Sequence, residues 1–175
     1  MKVSLVTFAV AVAATWAMAD TAGGLKWTAP PAWKAQPRRP MRAATYAVPK
    51  AANDPEDGEC AVFYFGPGQG GGVDANVKRW IGQFEAPGGG PADKLAKTSK
   101  GTVSGLPVTR IDLTGTYKPA GGPMMQATGS KPGYRLLGAI VEGPQGAVFF
   151  KFTAPAKTVA AQQSTFETLL KSVSR

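Results

Sequence analysis

Four carboxylates crowd the stretch "DPEDGE": Asp54, Glu56, Asp57 and Glu59. Carboxylates that close can do two kinds of chemistry. Two of them in a shared cleft can divide the work of general acid and base. Several oxygens converging on one point can hold a calcium ion. Here Gly58 follows Asp57, so the group wraps around a turn, and the expectation is a solvated hairpin tip. The D-x-D-x-D-G loop with its distant Glu is absent, which leaves only weak calcium binding open between Asp54 and Glu59. A fifth acid, Asp112, stands two residues from Arg110 on an alternating segment, where the pair is expected to share one surface face.

Other reactive groups narrow the choice. The chain has no histidine, so Ser-His-Asp and Cys-His catalysis are excluded and a typical zinc site is disfavoured. Its one cysteine, Cys60, sits in "ECAVFYFG" between apolar neighbours, where a buried and inert thiol is expected. The glycine loop "GPGQGGG" (66–72) runs into "VDANVKRWIGQF" and raises the question of phosphate binding. It lacks the GK[ST] ending of a P-loop and does not match G-x-G-x-x-G. Asp74 would sit in the first helical turn, where its charge suits the helix dipole and opposes a phosphate. The glycines therefore read as a tight entry into a helix. No catalytic residue, cofactor site or metal site is assigned.

These groups need elements to position them, and the 175 residues suffice for one domain with a proper core. Hydrophobic residues make up 43%, while 22 Gly and 15 Pro imply many turns. Residues 1–19 read as a signal peptide: Lys2, the apolar run Val3 to Ala14, and the small-x-small site Ala17-Met18-Ala19. The run is short for a membrane span. A mature domain of residues 20–175 is thus expected, exported to a periplasmic or extracellular space, with no transmembrane anchor after cleavage. With a single thiol it has no internal disulfide.

Strands are expected at "MRAATYAVP" (41–49), "ECAVFYF" (59–65), "VTRIDLTGTY" (108–117), "YRLLGAIVEG" (134–143) and "AVFFKFTA" (147–154), after a short strand near "LKWT". Several are apolar on both faces and must be covered on both. Two helices can do this. Val73, Val77, Trp80, Ile81 and Phe84 recur at helical spacing, and Gly82 falls within that segment. In "TVAAQQSTFETLLKSV" (158–173), Val159, Phe166, Leu169, Leu170 and Val173 form one stripe, with Thr158 placed to cap its start. Connections are turns or long loops more than crossover helices. The expected class is α+β: a mostly antiparallel sheet sandwiched between helices.

The charge is strongly basic, +9 from 20 Lys and Arg against 11 acids. Its densest groups are Arg38-Arg39-Arg42 and Lys94-Lys97-Lys100. An exported basic protein can meet acidic envelope surfaces. Nucleic acid is not expected, since there is no arginine-rich tract or aromatic-basic motif. One loop offers a contact surface: "KPAGGPMMQATGSKPG" (118–133) joins two strands and carries Met124 and Met125 between Lys118 and Lys131. A long loop in a compact domain is often functional, and methionines adapt to varied partners. Met124, Met125, Lys118 and Lys131 are the candidate partner-binding residues. The competing reading folds the methionines back over the sheet edge as a lid.

Four stretches occur in an order that resembles the PsbP-like family: "WTAPPAW", "MRAATYAVP", "NVKRWIGQF" and "VFFKFTAPAKTV" followed by "LLKSV". That family includes the extrinsic photosystem II protein, the Mog proteins and exported bacterial members. Ala154-Pro155 stands where relatives often have Gly-Pro. The resemblance implies an antiparallel sheet between helices, and binding or assembly without catalytic residues; it carries over no site residue. The expected function is an exported, non-catalytic interaction or assembly module. The alternative is a carboxylate-based hydrolase or small-ligand-binding protein of the envelope.

Overall fold

The computed structural model describes residues 19–119 and 129–175. In chain order its elements are β1 (Ala19–Ala22), β2 (Leu25–Thr28), β3 (Lys34–Ala35), β4 (Arg42–Val48), β5 (Gly58–Phe63), α1 (Val73–Ile81), β6 (Phe84–Glu85), β7 (Lys97–Val103), β8 (Leu106–Tyr117), β9 (Lys131–Gly143), β10 (Gly146–Pro155) and α2 (Ala156–Lys171). The main sheet runs β3-β4-β5-β10-β9-β8-β6, with β7 also paired to β8; β1 and β2 form a separate hairpin. Every pairing among these strands is antiparallel.

Alternation along the central strands splits the core in two. Val148, Phe150 and Phe152 join one cluster, with Leu137, Ala139 and Val141 beside them and Val159, Phe166, Leu169 and Leu170 of α2 packed above. Phe149, Leu136, Ile140, Ile111 and Leu113 point the other way and meet Val77 and Trp80 of α1. This is why these strands are apolar on both faces: each side buries its own set. Gly138 of β9 lets α1 approach, because a Cβ there would lie 2.5 Å from Trp80 Cζ3 and 2.6 Å from Ile111 Cγ2.

The architecture is a mostly antiparallel sheet with two helices, and it is more sheet-rich than the expected layered arrangement. Helix α1 spans only nine residues. Phe84, expected on its apolar stripe, has left the helix and starts β6 against Tyr117. Gly82 does not lie in mid-helix; it is the C-cap residue, in ordinary helical conformation. A Cβ added there would meet no other element, only carbonyls of the helix's own last turn.

Helix α2 starts at Ala156 after Pro155, so Thr158 is not its cap. The cap comes from far along the chain. The carboxylate of Asp54 accepts the Thr158 backbone N–H at 2.8 Å and its hydroxyl O–H. The same hydroxyl accepts the N–H of Ala51 at 3.0 Å. An acidic side chain at a helix start satisfies an orphan donor and complements the dipole.

The hairpin β1-β2 packs Leu25 and Trp27 into the α2-side cluster. Trp27 Nε1 donates to the Tyr46 hydroxyl at 2.8 Å, and that hydroxyl donates to the Asp20 carboxylate. Lys26 and Ser174 exchange backbone hydrogen bonds at 2.9 Å in both directions, so the last residues flank β2. No helix among the described residues is long and apolar enough to cross a membrane.

Candidate functional site

The candidate binding loop is rooted at the ends of β8 and β9. Met124 and Met125 lie outside the described residues. Lys118 and Lys131 do not stand as free cations. Lys118 is ion-paired with Glu85 of β6, and its backbone N–H donates to the Gln83 carbonyl at 2.7 Å. Lys131 Nζ lies 2.7 Å from Glu56, and the Tyr134 hydroxyl donates to the same carboxylate. The ammonium of Lys131 also rests 5.4 Å from the Tyr134 ring centroid. The hydrogen bonds from Lys131 and then Tyr134 hold the Glu56 carboxyl below its ordinary range. Burial, and then the bond to Glu56, pushes the Tyr134 phenol up. Both roots of the loop are thus fastened to acids from other elements.

The acidic cluster at residues 54–59 is dispersed. It is not a solvated tip throughout, because Asp54 is buried against α2. Asp57 accepts the Lys50 N–H at 3.1 Å. Glu56 turns to Lys131, while Glu59 pairs with Arg42 at 2.9 Å and Arg39 at 3.5 Å. Each carboxylate points to a different donor, so no two share a cleft. Among the described residues no three ligating side chains converge. Arg110 and Asp112 share a sheet face but not a bond. Asp112 takes a two-point bond from Arg135, with Nε at 2.8 Å and Nη2 at 2.7 Å. Arg110 reaches Glu167 of α2 at 3.7 Å. Arg135 lies on β9, diagonally across from Asp112, where its planar fork matches the carboxylate.

The glycine loop before α1 closes on itself. The Asn76 side-chain amide, buried in the first turn, donates to the carbonyls of Gly70 at 2.8 Å and Gly72 at 3.0 Å. The loop therefore presents carbonyls inward to a side chain. Gly70 has φ +89 and lies so close to Phe65 that a Cβ would sit 2.5 Å from its ring; only glycine fits there. Cys60 is fully buried in β5, and burial pushes its thiol up, away from the reactive thiolate.

A group that the sequence reading passed over lies on the α1 side of the sheet. Lys151 of β10 is only 8% exposed. Its ammonium donates to Gln83 Oε1 and lies 3.4 Å from the Tyr117 hydroxyl, over that ring at 5.1 Å. No carboxylate lies within ion-pair distance of it among the described residues. Burial pushes it down to about 8. It opens onto a cleft of about 160 Å³ between α1 and the sheet, walled by Phe63, Phe65, Phe149 and Trp80, with Asn76, Arg79 and Gln83 completing the lining. The signal was present in "VFFKFTA": one lysine inside a strand apolar on both faces.

Along the free side of β8 the charge is different. Strand β7 pairs with residues 106–112 of β8 and β6 with residues 116–117, so the lysine strand and the loop root follow one edge of the sheet. Residues 97–102 are all exposed. Lys94, Lys97 and Lys100 have no carboxylate within 4 Å among the described residues.

No model of a known protein family matches the chain, and no curated protein matches it. The fold is similar to that of cyanobacterial PsbP (CyanoP) from Synechocystis sp. PCC 6803. The TM-score is 0.55 at 11% identity, covering 95% of this chain and 97% of that one. A protein of unknown function from Pseudomonas aeruginosa also aligns, with a TM-score of 0.49 at 8% identity, over 86% of this chain and 90% of that one. The chain has a PsbP-like fold.

Proposed function

We propose that this PsbP-like fold serves as an exported, non-catalytic module that binds an acidic protein or surface of the cell envelope. Residues 1–19 act as the signal peptide, and residues 20–175 form the working domain. The contact runs along the free edge beside β8, from Lys94, Lys97 and Lys100 to the loop that carries Met124 and Met125 between Lys118 and Lys131.

One observation carries this reading: three lysines, Lys94, Lys97 and Lys100, stand exposed in a row along that edge. None of the three has a carboxylate within 4 Å among the described residues, so their charge is open to an acidic partner. Exposed lysines also protect an edge strand from pairing with other chains, so the test must separate binding from protection. The mature protein is used to capture partners from an envelope extract at low and high salt. Lys97→Glu with Lys100→Glu should abolish capture, and Met124→Ser with Met125→Ser should weaken it, with both variants keeping the wild-type elution volume in gel filtration. Capture that survives the charge reversal overturns the proposal. Mass spectrometry of the exported protein should find Asp20 at its N-terminus.

The carboxylate-based alternative has less support, because Asp54, Glu56, Asp57 and Glu59 each bond a separate donor. A small-ligand role rests on a separate feature, the cleft at Lys151.

A further inference from the structure

A buried ammonium without an acid is an unfinished arrangement. Lys151 offers three N–H donors, and the described structure gives it Gln83 Oε1 and a long contact to the Tyr117 hydroxyl. The opposite charge that acts on it, Glu59, is already paired with Arg42 at 2.9 Å. Burying a charge in this way is unfavourable unless a partner arrives. The surroundings indicate what that partner would be. Four aromatic side chains wall the cleft, and Phe65 meets Phe149 edge-on at 5.5 Å between centroids. A cavity of about 150 Å³ is enough to take one benzene ring, and this one measures about 160 Å³. At its rim stands Arg79, exposed and bonded only to the neutral Asn76 Oδ1 at 3.1 Å among the described residues.

We propose that the cleft between α1 and the sheet binds a single-ring aromatic carboxylate, its ring among Phe63, Phe65, Phe149 and Trp80 and its carboxylate directed to Lys151 and Arg79. Each part of the ligand answers an observed feature. The flat ring fills an aromatic slot, and the anion completes a desolvated cation, where charge-assisted hydrogen bonds are strongest. The cation is held in place by Gln83 from the turn after α1 and by Tyr117 from β8. The site is therefore formed before the ligand arrives, which favours affinity. Burial keeps the Tyr117 phenol neutral, so it does not compete as an anion for Lys151, and the Arg42 guanidinium is engaged with Glu59 and does not compete for the ligand.

This inference rests on the small-ligand reading of the cleft and is independent of partner binding at the lysine edge. The test is isothermal titration of the mature protein with sodium benzoate, benzyl alcohol and sodium acetate. Benzoate should bind saturably, with the neutral alcohol and the ringless acetate each at least about tenfold weaker. Lys151→Met should abolish benzoate binding. Arg79→Ala, a change on the surface, should weaken it about threefold with an unchanged near-UV circular dichroism spectrum. Lys97→Glu with Lys100→Glu should leave it unaltered, so this result and the partner result can fail separately. Absence of saturable binding at millimolar benzoate overturns the proposal. So does equal binding of benzoate and benzyl alcohol, or retention of benzoate affinity by Lys151→Met.

Discussion

Replacing Lys151 by methionine removes a buried charge and keeps most of the side chain's volume. The wild-type protein holds this ammonium at about 8, against an ordinary 10.5, because burial disfavours the charged form. Each unit is worth 1.36 kcal/mol, so the charged side chain is buried at an expense of about 3 kcal/mol below pH 8. The sign follows from proton counting. Between pH 8 and 10.5 the unfolded chain keeps a proton that the folded chain has lost, so wild-type stability gains from this group as pH rises through that window. Below pH 8 both states are protonated and the group gives no slope. The variant lacks the gain altogether. Its stability advantage over wild type should be greatest and constant below pH 8, then shrink by about 3 kcal/mol by pH 10.5. At pH 7 the advantage should be about 2 kcal/mol, since Gln83 Oε1 loses its donor at about 1 kcal/mol. Cys60, Tyr46 and Tyr134 have raised values and lower the stability of both proteins at alkaline pH; distant from Lys151 in the fold's hydrogen bonding, they cancel in the difference. Urea titrations of both proteins across pH 7 to 10.5, with equal m-values, measure that difference. A difference that stays flat through the window refutes the buried-ammonium account.

Asp54→Ala should destabilise the fold by about 3 kcal/mol, since it strips two hydrogen bonds to a carboxylate from the start of α2; Asp54→Asn, which keeps one acceptor, should lose about half. Denaturant midpoints decide this, and a loss under about 1 kcal/mol for the alanine variant would show the cap to be unimportant. Gly138→Ala should cost about 1–3 kcal/mol because its methyl collides with Trp80 and Ile111, and thermal melts suffice to check it. Cys60 should resist a thiol reagent in the native protein and react at once in denaturant; rapid native labelling would place β5 at the surface.

The long central strands were legible in the sequence because alternation and apolar runs survive in one dimension. The stretches at 108–117, 134–143 and 147–154 match β8, β9 and β10 within a few residues. Strand β7, "KTSKGTV", was not legible: its side chains are exposed up to Val103, so burial imposes no period on it. Thr158 was singled out for the correct helix end and the wrong role, because its partner Asp54 is distant in sequence and no local rule connects them. For the same reason Arg110 and Asp112, expected on one face and found there, gave no sign that their partners lie elsewhere. Each instead found a charge on a neighbouring element. Lys151 shows the opposite case, a visible anomaly in an apolar strand whose meaning depended on which residues α1 brings over it.

The exchange between Lys26 and Ser174 ties an early strand to the last residues of the chain. Ser172 adds to it, its hydroxyl accepting the Thr28 N–H at 3.0 Å. The hairpin that buries Trp27 thus completes its hydrogen bonding only when residue 174 is free to join it. A chain whose residues 172–174 are held elsewhere cannot make this closure, so the hairpin's hydrogen bonding waits for them. Ala19 pairs with Thr28, whose N–H reaches Ser172, so a permuted version of residues 19–175 needs only a short linker from residue 175 to residue 19.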